Sequence, residues 1–409
     1  MAVNNFNISD ISDAFKEEFS LKSLIQYNNA NVVWAKIPKS FDFVSRQKNI
    51  GLELAAGGGF GTGSLPTANY SAAEYDQANI TAKKVYSVVE IDREAMKAKN
   101  SKGVFDVSAL EHVAKKGVKV AMRNMQRILF GDSDGALYTG NASNTNVSGS
   151  GTACSPYVIS TDGDADEFNK HYFEVGDLVN VNSETTDLEV TARSASSISL
   201  VGTSSRLCTL SGANPFDDSD VLYMQNSKDN DPQGLEILTK TSGTTYGVSH
   251  TNDRFQGTNI NAAGAGISED LLNELVLTIE EESGEAPDLI VASYRQYRKI
   301  KNFLADQKTV EILPRDEKLI GKVSFSALQF MSAAGPIAIV ADRMVLRDRV
   351  YAINTNKIEA IHKPDWGWFD EDGTIFLRRD TSDRYQARYG GYMEIFIQPN
   401  FHGLIDELA

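Results

Sequence analysis

The Gly-rich run GGGFGTG (57–63) is the first stretch whose residue types suit a chemical task, because successive backbone N–H groups in such a loop can cradle phosphate oxygens. A phosphate loop also needs Gly-Lys-Ser or Gly-Lys-Thr between a buried strand and a helix. Neither occurs here, so the run reads as a loop tip. Acidic turns at DSDG (132–135), DGDADE (162–167) and DEDG (370–373) group carboxylates as calcium loops do, but none has the sixth-position Gly and twelfth-position Glu of an EF-hand. They read as solvated turns. His112, His171, His250, His362 and His402 are scattered singly, never at the i, i+4 spacing that sets two imidazoles on one helical face. No GxSxG elbow is present, and Cys154 and Cys208 read as buried thiols rather than nucleophiles. No catalytic, cofactor-binding or metal-ligating set emerges, and the chain reads as a non-enzyme.

The elements that position these residues alternate in style along the chain. Residues 1–45, with the amphipathic piece DISDAFKEEF and then Trp34, read as an arm with little apolar mass of its own. Residues 46–95 read as a long β-excursion, polar around the glycines and alternating from Ile80 to Ile91. Ser108 and Glu111 make a capping-box pattern, and Leu110, Ala114, Val118, Ala121 and Met125 recur at helical spacing through Phe130, which predicts the longest helix. From about 136 the chain turns rich in Ser, Thr, Gly and Asn, with short strands expected at FEVGDLVNV, LEVTARS, SISLVG and DVLYMQ. A helix over 267–284 capped by Ser268 and ended by Gly284, a buried strand DLIVAS and the helix YRQYRKIKNFLAD come next. PIAIVAD, MVLRD, VYAIN, KIEAIH, TIFLRRD and RYGGYMEIFIQPNF read as closing strands.

Charge is unevenly placed. Of 409 residues with a net charge of −15, the segment 132–235 holds sixteen Asp and Glu against four Lys and Arg, so the rest is close to neutral. Such an acidic segment repels nucleic acid and is expected on the solvent side. Residues 97–127 form a basic counterpart, including Lys97, Lys99, Lys102, Lys115, Lys116, Lys119, Arg123 and Arg127. Arginines and aromatics near the end are balanced by carboxylates, as suits protein interfaces. The start, MAVNNFNISDISDAFKEEF, has neither a basic leader nor an apolar run, and no stretch approaches the roughly 20 apolar residues of a membrane helix. Synthesis in the cytosol is expected.

The order of arm, β-excursion, long helix, helix-and-strand unit and closing strands resembles the Hong Kong 97-type fold of tailed-bacteriophage major capsid proteins. The resemblance is strongest in APDLIVASYRQYRKIKNFL and in TIFLRRDTSDRYQARYGGYMEIFIQPNFHGLI, and it spans most of the chain. It implies an α+β fold: N-arm (1–45), E-loop (46–95), P-domain spine helix (96–135), inserted β-rich domain (136–235), A-domain (236–356) and P-domain closing strands (357–409). It also implies a coat subunit that self-assembles as hexamers and pentamers into an icosahedral shell around phage double-stranded DNA. The alternative on the same fold is an encapsulin-type nanocompartment enclosing an enzyme cargo. A secreted β-rich binding protein or hydrolase is a third reading, against which the missing leader weighs.

The partners so implied are other copies of the chain, a separate scaffolding protein, a portal, a cement protein and enclosed DNA, with assembly in the host cytoplasm. Trp34, Gly57, Gly59, Phe60, Gly61, Lys83, Lys84, Arg347, Arg378, Arg379 and Arg384 are the inter-subunit candidates. Lys115, Lys119, Arg123 and Arg127 are the DNA-facing candidates. Some members of the family cross-link an E-loop Lys to a neighbour's Asn with help from a Glu. Lys83 and Lys84 lie on the expected loop, but no matching Asn and Glu can be assigned, so that chemistry is not carried over.

Overall fold

In a computed structural model, the structure describes residues 32–43, 45–55, 57–58, 72–92, 109–140, 145–149, 156–161, 168–182, 187–202, 220–306, 328–332, 335–364, 366–370, 374–378 and 383–409. Gly59, Phe60, Gly61, Arg379, both cysteines and the capping residue Ser108 lie outside them, as do the first 31 residues.

Three large sheets meet around one core. A central mixed sheet has the strand order 258–261, 403–406, 350–353, 289–292, 335–341 and 328–332, with Leu289–Ala292 parallel to Ala338–Ala341. The crossover between these two strands carries a helix, as a parallel pair requires. All four residues of Leu289–Ala292 are buried, because helices cover one face and the core covers the other. A second sheet is built on the long strand Arg384–Ile397, which pairs antiparallel with Lys83–Asp92 along its first part and with Ile358–His362 along its last. Gly390, at φ +153°, lets this strand pass so close to its neighbour that a Cβ would stand 2.1 Å from the Val85 carbonyl oxygen. The third sheet has seven antiparallel strands, all within residues 136–224.

Four helices join them among the described residues: α1 (Val32–Lys36), α2 (Ala109–Leu129), α3 (Glu269–Ser283) and α4 (Tyr294–Asp306). α3 forms as its caps dictate. Ser268 Oγ accepts from the Leu271 N–H, and Gly284 closes the helix at φ +75°. Leu272, Leu275, Val276 and Ile279 then fall on one stripe and, with Ile300 and Leu304 of α4, cover one face of the central sheet. On α2, Ala114, Val118, Ala121 and Met122 pack on the long-strand sheet through Val89, Trp368 and Tyr389. One turn later, Met125, Ile128 and Leu129 enter the shared core.

That core is common property. Ile159, Val190 and Leu200 of the seven-stranded sheet, Val291 and Tyr351 of the central sheet, and Ile395 of the long strand belong to one buried cluster. The β-rich segment thus buries its apolar face against the rest of the molecule.

Three sequence expectations change. The stretch before Phe43 does have apolar anchors of its own: Val33, Trp34, Ile37 and Phe43 are all buried, and Lys39–Ser40 adds a parallel edge to Ala360–Ile361. The β-excursion Gln47–Ala55 with Glu74–Thr81 is a two-stranded ribbon whose Leu54, Ala78 and Ile80 pack on Val248, Phe255 and Phe396 of the body. MVLRD is a pair of turns, not a strand: Met344 and Val345 turn inward to the core while Arg347 stays at the surface.

Gly234 decides how closely the segment returning from the seven-stranded sheet can approach α2. A Cβ there would lie 2.2 Å from the Ile128 carbonyl oxygen and 2.5 Å from that of Gly131, and backbone cannot yield as a side chain can. Gly234→Ala is expected to destabilise the folded chain by about 3 kcal/mol, read as a lowered midpoint in urea denaturation with an unchanged slope.

Candidate assembly surfaces

The basic stripe of α2 divides in two. Lys115 and Lys119 are exposed. Arg123 and Arg127 are not: their side chains are 10% and 6% exposed. Arg123 pairs with Asp177 at 2.6 Å and approaches Glu174 at 3.5 Å, while Arg127 pairs with Asp231 at 2.7 Å. These carboxylates come from the acidic segment 132–235, which therefore turns part of its charge inward to neutralise the helix. The expectation that Arg123 and Arg127 face DNA is corrected by this pairing, since a guanidinium already desolvated against a carboxylate has no surface left for a phosphate.

Around Arg127 lies a polar joint linking α2, the ribbon, the β-rich segment and the long strand. Lys83 Nζ donates to the carbonyl oxygens of Ser133 and Asp229, each at 3.3 Å, and to that of Asp231 at 2.7 Å. Lys83 therefore ties its own chain together rather than presenting its ammonium to a neighbour. Asp132 accepts from Gln233 Nε2 at 2.7 Å and pairs with Lys240 at 2.8 Å. Glu394 accepts from the Gln233 N–H at 2.6 Å. Burial pushes the Glu394 carboxyl up to about 7, against the opposing pull of its backbone hydrogen bonds and Lys83.

Trp34 is wholly buried, edge-on to His362 with ring centroids 6.5 Å apart, so it serves this subunit's core and cannot meet another. His362 also touches Phe41 and Trp366 and lines an apolar cavity of about 260 Å³ beside Met122 and Met125 of α2. Burial, then the nearby Lys39 charge, depresses the His362 imidazole to about 4. His402, fully enclosed, falls to about 3 chiefly through burial.

The remaining candidates do reach the surface. Arg347 is exposed, and Arg378 and Arg384 make only loose pairs, 3.9 Å to Asp383 and 3.6 Å to Glu90. Lys84 is exposed with its ammonium 6.0 Å from the Tyr392 ring. Gly57 adopts φ +76° on the ribbon. Exposed apolar groups stand among them: Tyr75 on the ribbon is 71% exposed, and Tyr86, Val88 and Leu377 line the outer side of the long-strand sheet. Sequence reasoning missed Tyr86 and Val88. Their alternation with buried Ser87 and Val89 was visible, but only the pairing shows that no described element of the chain covers their face. Among the described residues no three His, Cys, Asp or Glu side chains gather as a metal site would need.

Residues 220–386 match the family described as SU10 major capsid protein. No curated protein matches the chain. Among solved structures, the capsid asymmetric unit of cyanophage A-1(L) is similar over 91% of this chain and 90% of its own, at 10% identity and a TM-score of 0.52. That likeness gives the fold, the Hong Kong 97-type coat architecture. Weaker likenesses include Mycobacterium phage Bobi (10% identity, covering 93% and 90%, TM-score 0.42) and the holo-SrpI encapsulin complex of Synechococcus elongatus (6%, 92% and 87%, 0.46).

Arg127→Ala leaves Asp231 buried without its partner and is expected to cost about 3 kcal/mol in chemical denaturation. Lys115→Ala, on the same helix but exposed, is expected to change stability by less than about 0.5 kcal/mol. The pH dependence has two opposed limbs. Glu394 has a folded value above its unfolded one, so its contribution is full below about 4.5 and is lost as pH rises to about 7. His362 and His402 have depressed folded values, so theirs is full above about 6.5 and is lost as pH falls towards 4 and then 3. In melting curves, Glu394→Gln is expected to remove the decline between about pH 4.5 and 7 while keeping the acid-side decline.

Proposed function

We propose that the chain is a major capsid protein of the tailed-phage type, a structural component of the virion. Copies assemble as hexamers and pentamers into a closed icosahedral shell around double-stranded DNA, formed in the host cytoplasm on a separate scaffolding protein. A portal and an outer cement protein complete the set of proposed partners. The observation that carries this reading is the match of residues 220–386 to a major capsid family within a chain whose whole fold is of the coat type.

Physical features support it. The ribbon anchors only one face on its own subunit and leaves Tyr75, Gln77 and Thr81 bare, a surface that becomes ordered and dry when it crosses a neighbour. Tyr86 and Val88 offer an apolar patch next to the loosely paired Arg378 and Arg384, the mixture of aromatic and Arg groups enriched at protein interfaces. Lys115 and Lys119 are exposed, unlike the arginines that follow them, and in this reading their side of the helix faces packaged DNA. Gly57 and the adjoining glycines would let one subunit fit sites of slightly different curvature.

Electron microscopy and sizing of the protein expressed with its scaffold test the proposal. Closed shells or hexameric and pentameric capsomers are the expected result. A chain that stays monomeric under those conditions is not a coat subunit of this kind. Val88→Glu, which puts a charge in the exposed patch without touching the core, is expected to reduce shell yield at least about tenfold with little change in the melting temperature of the unassembled subunit.

A further inference from the structure

The two helices covering the central sheet carry opposite charge. Residues 269–285 hold seven carboxylates and no Lys or Arg, whereas residues 294–301 hold Arg295, Arg298, Lys299 and Lys301 and no carboxylate. The helices also sit towards opposite edges of the sheet: α3 lies over 258–261 and 403–406, α4 over 289–292 and 335–341. The acidic helix and the basic helix therefore lie towards opposite edges of the sheet.

The exposed residues fall in stripes. On α3 exposed Asp270, Glu274, Leu277 and Glu281 are spaced four, three and four apart, with Glu282 exposed beside the last and Leu277 43% exposed in the middle. On α4 exposed Tyr294, Arg298 and Lys301 are spaced four and three, with Asn302 exposed beside the last and Tyr294 61% exposed. None of Asp270, Glu274, Glu281, Arg298 and Lys301 makes an ion pair among the described residues. Beside the first turn of α4 a cleft of about 430 Å³ opens towards the 168–171 turn and the 342–347 turn, and Lys170, Arg343 and Arg347 add to its positive lining. His171 at its rim is pushed down by burial and then by Lys170, Arg343 and Arg193, as a positive environment requires.

We propose that the acidic α3 stripe of one subunit docks on the basic α4 stripe and adjoining cleft of the next copy, a head-to-tail contact that sets the order of subunits around a ring. The inference rests on the coat reading above and names the surface through which copies meet. The occupant is a second copy because the complementary stripe is present on this same chain, on a helix of similar length: 15 and 13 residues, each about 20 Å long. Leu277 meets the Tyr294 ring, and carboxylates flank it as cations flank Tyr294. A two-fold contact through either stripe alone would set acid on acid or base on base. Placing the two stripes on different edges makes the contact heterologous, the kind that forms a ring when its rotation closes. The exposed charge of the two stripes suppresses wrong pairings and speeds the right one.

Charge reversal tests this in the full-length chain expressed with its scaffold. Glu274→Arg/Glu281→Arg and, separately, Arg298→Glu/Lys301→Glu are each expected to lower the yield of capsomers and shells at least about tenfold, with the subunit's melting temperature unchanged. The chain carrying all four changes restores opposite charge across the contact and is expected to recover to within about threefold of the unaltered protein. Assembly of either reversed pair at the unaltered yield overturns the proposal, and so does a four-fold variant that melts normally yet stays as poor as the pairs. If a reversed chain misfolds, the neutral pairs Glu274→Gln/Glu281→Gln and Arg298→Gln/Lys301→Gln replace it. Each should assemble more weakly and lose much of the salt sensitivity, and an unchanged salt response overturns the proposal. Failure of the unaltered protein to form any assembly would instead strike at the coat reading itself.

Discussion

The contact between Arg127 and Asp231 at the C-terminal end of the long helix is the constraint on which the rest of the structure depends. A guanidinium buried to this degree must be paired, so the chain returning from the β-rich segment is held at the helix end. Asp231 also offers its carbonyl to Lys83, which fixes the start of the strand leaving the ribbon, and Gln233 beside it donates to Glu394 in the long strand. Gly234 then passes within backbone distance of Ile128. Four remote parts of the sequence are registered against one another within a few residues.

From that joint the layers follow. The seven-stranded sheet leaves at Ala136 and returns at Met224 on adjacent, paired strands, so it adds one body without disturbing the helix from which it departs. Its apolar face fills a core shared with the central sheet and the long strand. The central sheet, covered on one side by that core and on the other by α3 and α4, can hold two oppositely charged helices in fixed relation. A coat subunit needs such rigidity, because small errors in the angle between contacts accumulate around a ring.

Charge has two roles. Inside, carboxylates of the β-rich segment neutralise α2, which makes the net charge of −15 a poor guide to the surface any one helix shows. Outside, Asp270, Glu274 and Glu281 of α3 and Arg298 and Lys301 of α4 are exposed at opposite edges with no ion pair among the described residues.

Local order was legible from the residues alone. Caps at Ser268 and Gly284 bounded α3, apolar spacing marked α2 and α4, and alternation with turn residues marked the short strands, because each depends on neighbours a few positions away. The chain order was also enough to suggest the coat fold. What tertiary structure decided was the partner of each side chain. Arg123 and Arg127 had the spacing of an exposed basic stripe, and only packing brought Asp177 and Asp231 over them from 54 and roughly 100 residues away. Trp34 belonged to a stretch poor in apolar residues, and only the pocket formed with His362 and the α2 core made it interior. Lys83 stood in an alternating strand, and only the fold delivered three carbonyl oxygens to its ammonium. Spacing along a chain reports which residues share a face. Which face is covered, and by what charge, depends on contacts between residues that are distant in sequence.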